Sequence, residues 1–252
     1  MIIQIIGLPG SGKTALAVAL KERINAIHLN ADEVRSTVNS DLGFSPEDRI
    51  EQARRMGEMA RLIAKQNIAP VIVDFVCPTE ETRSAFGFAD LVVWVDRIKQ
   101  GRFEDTNKLW IDPWHFHIRI LDGYTIEQEV DMIIQAGALF DWSAPTTLQL
   151  GRYQPWHEGH QALKEEAHKR TSQVLVGVRN TYKTSEKDPL MYNEVEEYIK
   201  QDNPFKDTLV LRLPNITNIV YGRDVGYKIE QVKLGDEIES ISATQKRKEM
   251  GI

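Results

Sequence analysis

Eight residues near the start of the chain, Gly7-Leu8-Pro9-Gly10-Ser11-Gly12-Lys13-Thr14, fit the pattern G-x-x-x-x-G-K-[ST]. In that pattern Gly7, Gly10, Ser11 and Gly12 let backbone N–H groups wrap the phosphates of a nucleotide. Lys13 reaches the β- and γ-phosphates, and the Thr14 hydroxyl holds Mg²⁺. The chemistry implied is phosphoryl transfer from ATP. A second group lies far downstream, at Gly151-Arg152-Tyr153-Gln154-Pro155-Trp156-His157-Glu158-Gly159-His160. His157 and His160 stand three apart at a helix start. Both imidazoles then face one phosphate chain, where they stabilise charge on the α-phosphate and on departing pyrophosphate. Gly151, Arg152 and Gly159 complete that nucleotide site, Gly159 by allowing close approach. Ser242, Thr244 and Arg247 begin a further helix and offer donors to phosphate oxygens. Such a site needs no protein nucleophile, only positioning and electrostatics.

Between these motifs lie residues suited to a second substrate. Asp32 follows the second predicted strand, at the carboxyl edge where open α/β sheets place ligands. There it can orient an acceptor hydroxyl or hold Mg²⁺ through water. Arg35 and Arg49 suit a clamp on an anionic acceptor, and Phe44 suits a flat base. Asp74 ends the third strand and is expected either on the Mg²⁺ side or in a strand-end pair. Arg54, Arg55 and Arg61 read as helix-face partners of Glu47, Asp48, Glu51 and Glu58.

The elements that must position these residues alternate. Strands are expected at Ile2–Ile6, Ala26–Leu29, Pro70–Phe75 and Leu91–Val95, with helices at Thr14–Ile24, Pro46–Gln66, Glu80–Phe86 and Ile126–Ala136. Ile50, Ala53, Met56, Ala60 and Ile63 recur at helical spacing, and Ser45-Pro46 supplies a start signal. The pattern predicts a parallel sheet covered on both faces. Ser143-Ala144-Pro145 marks a junction, dividing a domain over 1–143 from one over 144–252. Beyond it the chain predicts strand Thr146–Leu150, helix Gly159–Lys169, strand Gln173–Val178, helix Asn193–Gln201, strands Thr208–Leu213 and Ile219–Tyr221, and a helix near Thr244–Met250. The fold class is α/β, a P-loop parallel sheet followed by a smaller Rossmann-like unit.

Composition narrows the partners. The 252 residues carry a formal net charge of −6. The acidic excess lies in the first half and the second is balanced, so neither has the basic surplus of a nucleic-acid binder. No apolar run approaches a membrane span. The single cysteine, Cys77, allows no intrachain disulfide and fits a reducing compartment. With a strand starting at residue 2, a cytoplasmic location is expected. The expected partners are small nucleotide-like molecules, with a homo-oligomer left open. Trp110-Ile111-Asp112-Pro113-Trp114-His115-Phe116-His117 reads as an aromatic packing segment rather than a metal site.

Two resemblances sharpen these expectations. Asn30-Ala31-Asp32-Glu33-Val34-Arg35, then Leu42-Gly43-Phe44-Ser45-Pro46-Glu47-Asp48-Arg49, then Glu51-Gln52-Ala53-Arg54-Arg55 resemble the D-G-D-N-[VI]-R, L-G-F-S-x-x-D-R and E-N-[VI]-R-R motifs of adenylylsulfate kinases. The resemblance covers most of residues 1–80. It implies an acceptor site at Asp32, Arg35, Phe44 and Arg49, with Gln52 where that family has asparagine. Asn30 replaces the first carboxylate of D-G-D, and Asp74 is expected to supply it. The family's basic lid motif is missing, so Arg97, Lys99, Arg102 and Lys108 are expected to cover the phosphates instead. In the second half, Gly151–His160 and Ile241-Ser242-Ala243-Thr244-Gln245-Lys246-Arg247 resemble the G-R-F-x-P-x-H-x-G-H and I-S-x-T-x-x-R motifs of cytidylyltransferase-like nucleotidylyltransferases. Residues 176–184 and 219–223 look closest to the nicotinamide-mononucleotide adenylyltransferase branch. Together the resemblances imply a bifunctional enzyme using ATP and Mg²⁺, catalysing through Lys13, Asp32, His157, His160 and Arg247. Two alternatives are a sulfate-activating pair and a nucleotide-binding regulator with one inactive site.

Overall fold

A computed structural model of the chain describes residues 1–182, 184–203, 207–220, 222–223, 226 and 228–251. It falls into two compact units, Met1–Ser143 and Ala144–Ile252.

The first unit runs β1 (Ile2–Gly7), α1 (Lys13–Ile24), β2 (Ile27–Asn30), α2 (Ala31–Ser36), α3 (Pro46–Ala64), β3 (Val71–Phe75), α4 (Glu80–Phe86), β4 (Leu91–Val95), α5 (Glu104–Leu109), β5 (Ile118–Ile120) and α6 (Ile126–Gly137). Its five strands are parallel, in the order β2-β3-β1-β4-β5. Side chains on a strand alternate between faces, and β1 shows the result. Ile3 and Ile5 join Leu16, Leu20, Val130 and Ile133 of α1 and α6 on one face. Ile2 and Ile6 join Ala53, Met56, Ala60 and Phe86 of α3 and α4 on the other. Both faces are thus buried, as parallel sheets require. Where α3 crosses α4 the backbones nearly touch: a Cβ on Gly57 would lie 2.1 Å from Phe86 O.

Capping places the helix starts. Ser45 accepts from Asp48 N, with Pro46 in the first turn of α3, and Thr79 and Thr125 close capping boxes on α4 and α6. Short elements escaped the periodicity: α2, α5 and β5 were not expected. Phe116 packs edge-on against Trp94 and His117 Nδ1 accepts from Val92 N, but Trp114 is exposed, so only part of the aromatic tract is packed.

The second unit runs β6 (Thr146–Gly151), α7 (Glu158–His168), β7 (Gln173–Arg179), α8 (Tyr192–Asp202), β8 (Thr208–Leu213), α9 (Asp236–Glu239) and α10 (Ala243–Met250). Its sheet is parallel in the order β6-β7-β8. The core is small, with Val174, Val176 and Val178 of β7 packed against Val195 and Ile199 of α8 and Trp156. The expected strand Ile219–Tyr221 does not form at Ile219 and Val220, which are exposed coil, and Tyr221 lies outside the described residues. Among the described residues no helix is long and apolar enough to cross a membrane.

Candidate active sites

In the first unit the loop from β1 to α1 carries the phosphate-binding motif. Gly10 and Gly12 have φ of 89° and 90°, a region that side chains rarely enter. Space is also committed, since a Cβ on Gly12 would lie 2.1 Å from Arg97 Nη1. Lys13 is buried and its Nζ donates to Leu8 O at 2.9 Å. Burial pushes its ammonium down to about 8, although Asp74 and Asp32 pull the other way. Ser11 Oγ is buried without a hydrogen-bond partner among the described residues. The loop therefore holds a cation and an idle hydroxyl close to a helix N-terminus, a setting that favours an anion.

Asp74, on β3, gathers the surrounding side chains. Thr14 Oγ1 donates to its Oδ2 at 2.7 Å, His28 Nε2 lies 2.6 Å from its Oδ1, and Asn30 Nδ2 lies 3.1 Å from both oxygens. Burial would raise this carboxyl, but the bonds from His28 and Thr14 hold it below its ordinary value. Asn30 sits directly opposite Asp74 in the β2–β3 register. Its Oδ1 caps α2 by accepting from Glu33 N at 2.9 Å, while its amide N–H serves Asp74. An aspartate at position 30 could cap the helix, but it would face Asp74 with a second negative charge. Asn30 therefore meets Asp74 with a donor where a carboxylate would bring repulsion. His28 was missed in the sequence. Its signal was positional, since His28 and Asn30 share one face of β2.

Asp32, on the first turn of α2, and Phe44, Arg49 and Phe75 line the same cavity as Lys13, Thr14 and Asp74, with a volume of about 700 Å³. Arg35 and Arg49 flank the exposed Phe44 ring, their guanidinium carbons 4.8 and 5.6 Å from its centroid. Arg49 Nε donates to Phe44 O at 3.0 Å, and Arg35 Nη1 donates to Gly43 O. Gln52 is buried, accepting from Asn39 Nδ2 at 2.8 Å and donating to Ala31 O at 3.1 Å. It lines a small cavity with Arg35, Phe44 and Phe75, but its amide is already engaged by the protein. Arg54 and Arg55 both pair with Glu51, and Arg61 with Glu58.

The expected lid needs correction. Of its four cations, Arg102 alone lines the large cavity. Arg97 is tied to the buried Glu129 and donates to Ser11 O at 3.0 Å, so it braces the phosphate loop. Lys99 pairs with Asp96 and Lys108 with Glu104. The residues that do face the cavity, Phe103, Asp105 and Thr106, surround the start of α5, which periodicity had not revealed.

In the second unit His157 caps α7, its Nδ1 accepting from Gly159 N at 3.2 Å. Its ring stacks on His160 with centroids 3.8 Å apart. A Cβ at position 159 would sit tightly against that ring, 3.0 Å from His157 Cε1. His160 packs edge-on to Tyr153, and its buried Nδ1 has no hydrogen-bond partner among the described residues. Burial, with help from His157, pushes His160 down to about 3, so the imidazole is neutral at pH 7. It offers a hydrogen bond, not a charge. Burial also lowers His157. The downstream motif reaches the same corner of the unit. Arg247 Nη1 donates to Gln154 O at 2.7 Å and Lys246 bridges to Glu158 at 3.0 Å. Ser242 caps α10 by accepting from Thr244 N, and Thr244 Oγ1 accepts from Arg247 Nη2. Gly151 ends β6, and Arg152 pairs with Asp188 at 3.1 Å. Both arginines thus rest on protein partners.

A family model described as adenylylsulphate kinase matches residues 1–88. Over 87 residues the chain is 40% identical to the adenylyl-sulfate kinase of Staphylococcus epidermidis and 44% identical to that of Bacillus licheniformis. Each alignment takes in 32% of this chain, with 43% and 44% of the respective relative. The chain therefore spans less than half the length of these relatives. Among solved structures, the Mycobacterium tuberculosis APS kinase CysC in complex with AMPPNP and APS is similar, at a TM-score of 0.46 and 22% identity over 54% of this chain and 95% of that chain. Residues 1–88 are thus homologous to adenylylsulfate kinases.

Proposed function

We propose that the first unit, residues 1–143, transfers the γ-phosphoryl group of ATP to a small anionic, nucleotide-like acceptor, with adenylylsulfate as the first candidate. The observation that carries this reading is the single cavity joining the phosphate loop to Asp32, Phe44 and Arg49. Loop N–H groups and Lys13 would hold the β- and γ-phosphates. Arg49, with Arg35, would hold the acceptor's anion, and Phe44 its base. Asp32 would accept the acceptor hydroxyl's proton as that oxygen bonds to the γ-phosphorus and the bond to the bridging oxygen breaks. The hydroxyl and carboxylate oxygens around Thr14, Asp74 and Asp32 form a donor set suited to Mg²⁺. Bound with the nucleotide there, the ion would neutralise phosphate charge. Gln52 would shape the wall between α2 and α3. The test is transfer of labelled phosphate from ATP to adenylylsulfate: Lys13→Ala should cut turnover by several orders of magnitude, and a near wild-type rate would remove the assignment.

A separate observation supports a second activity. Within residues 144–252, Arg247 and Lys246 bond to the segment bearing His157 and His160. A nucleotidylyltransferase needs those two motifs around one triphosphate. His157 and His160 would donate to the α-phosphate and the leaving pyrophosphate. Ser242, Thr244 and Arg247 would hold the remaining phosphate oxygens, with Gly151, Arg152 and Gly159 framing the nucleotide. An anionic acceptor attacks the α-phosphorus directly and pyrophosphate leaves, transferring AMP or CMP. Pyrophosphate release from ATP or CTP with nicotinamide mononucleotide, phosphopantetheine, phosphocholine or sulfate tests this. Turnover with sulfate would favour a sulfate-activating pair, and nucleotide binding without turnover a regulatory unit.

A further inference from the structure

The segment after β4 is fastened to both walls of the large cavity. At the donor wall, Arg102 N donates to Pro9 O at 3.2 Å. Gly101 packs on the phosphate loop so closely that a Cβ there would lie 2.8 Å from Pro9 Cδ. Asn107 stiffens the turn between, accepting from Gly101 N at 2.8 Å and donating to Gly101 O at 3.1 Å. At the acceptor wall, α5 presents Asp105, whose Oδ2 accepts from Arg49 Nη2 at 2.8 Å, with Thr106 Oγ1 at 3.5 Å from the same nitrogen. The pair is asymmetric. Arg49 is 12% exposed and anchored through Nε, whereas Asp105 is 66% exposed. If the bond breaks, the carboxylate is the partner free to leave.

We propose that Asp105 is a latch on the acceptor arginine, holding in the free protein the position that the acceptor's anionic group takes, so that acceptor and α5 compete for Arg49. This rests on the phosphotransferase reading of the first unit. An incoming sulfate or phosphate offers several oxygens to the guanidinium fork where Asp105 makes one bond, so it can displace the carboxylate. Displacement frees α5 at one end only, because the Pro9 contacts persist. Acceptor occupancy is thereby coupled to the placement of Phe103 and Thr106 along the cavity. Asp105 also sets specificity, since a neutral acceptor leaves the latch closed.

The test uses the full chain and two readouts. In Asp105→Asn the Kd for adenylylsulfate should fall roughly two- to fivefold, the range expected on removing an exposed competing charge, while the Kd for adenosine stays unchanged. Without any ligand, amide hydrogen exchange across residues 98–109 should speed up in this variant. Glu104→Gln, which breaks only the outward Glu104–Lys108 pair, should alter neither quantity. Titration with β,γ-imido ATP confirms that the phosphate loop is intact. Unchanged or weakened adenylylsulfate binding in Asp105→Asn overturns the latch, as does unchanged exchange over 98–109. If exchange speeds up but adenylylsulfate binds neither protein, Asp105 only tethers α5, and the competition falls together with the reading of that acceptor.

Discussion

Exchanging the two side chains that face each other across β2 and β3 tests the metal side of the first site. Asn30 Nδ2 lies 3.1 Å from both Asp74 oxygens. Asn30→Asp alone brings two carboxylates to about that distance. At an effective dielectric constant of about 20 their repulsion is about 5 kcal/mol, so the pair shares a proton at neutral pH and Asp74 loses its full charge toward Thr14. Asp74→Asn alone removes the acid, and the Mg²⁺ concentration for half-maximal transfer should rise about 10- to 100-fold. The double exchange restores one acid and one amide in the same place. Aspartate caps a helix as well as asparagine does, so α2 keeps its start. The double variant should recover at least tenfold of the loss seen in the worse single variant. The assay is initial phosphoryl-transfer rate against Mg²⁺ at fixed ATP, with Mg·ATP binding measured by calorimetry. If the two changes simply add, the side chains do not share one role and the exchange argument is refuted.

Further outcomes follow from other parts of the structure. Because burial pushes Lys13 down to about 8 and polyphosphate binding needs the ammonium, ATP affinity should fall as pH rises above about 8, by about tenfold per pH unit; a flat Kd between pH 7 and 9.5 would contradict this. Gly57→Ala forces α3 from α4, because its Cβ would lie 2.1 Å from Phe86 O; a cost of about 1–3 kcal/mol should appear as a Tm several degrees lower, and an unchanged Tm would mean the helices part freely. His160→Ala should slow pyrophosphate release about 10²- to 10³-fold, the worth of one well-placed donor, with no change in the activity of the first unit.

Sequence reasoning succeeded where a residue's neighbours along the chain determine its environment. The phosphate loop lies between a buried strand and a helix that are both visible as periodic runs, so Lys13 and Thr14 could be placed from local pattern alone. Leu91–Val95, Glu80–Phe86 and Thr208–Leu213 were legible to the residue for the same reason. What failed depends on contacts distant in sequence. A lone histidine gives no sign that a parallel partner strand puts Asp74 beside it. The four lid cations look alike in sequence. Arg97 is set apart by Glu129, 32 positions away, and by the carbonyl of Ser11. Six-residue helices such as α2 and α5 are too short for an apolar period, and their capping groups and tertiary contacts decide them.

The brace formed by Glu129, Arg97 and Ser11 has a consequence for how this protein can vary. Glu129 is wholly buried and its partner fills the space that a side chain at position 12 would need. A larger residue at position 12 would expel the guanidinium and strand a carboxylate in the core. Loss of Glu129 would release Arg97 from the back of the loop that surrounds the nucleotide. A substitution at any one of positions 12, 97 and 129 therefore disturbs the other two. A substitution on α6, with no contact to any substrate, would be felt first as a change in nucleotide affinity.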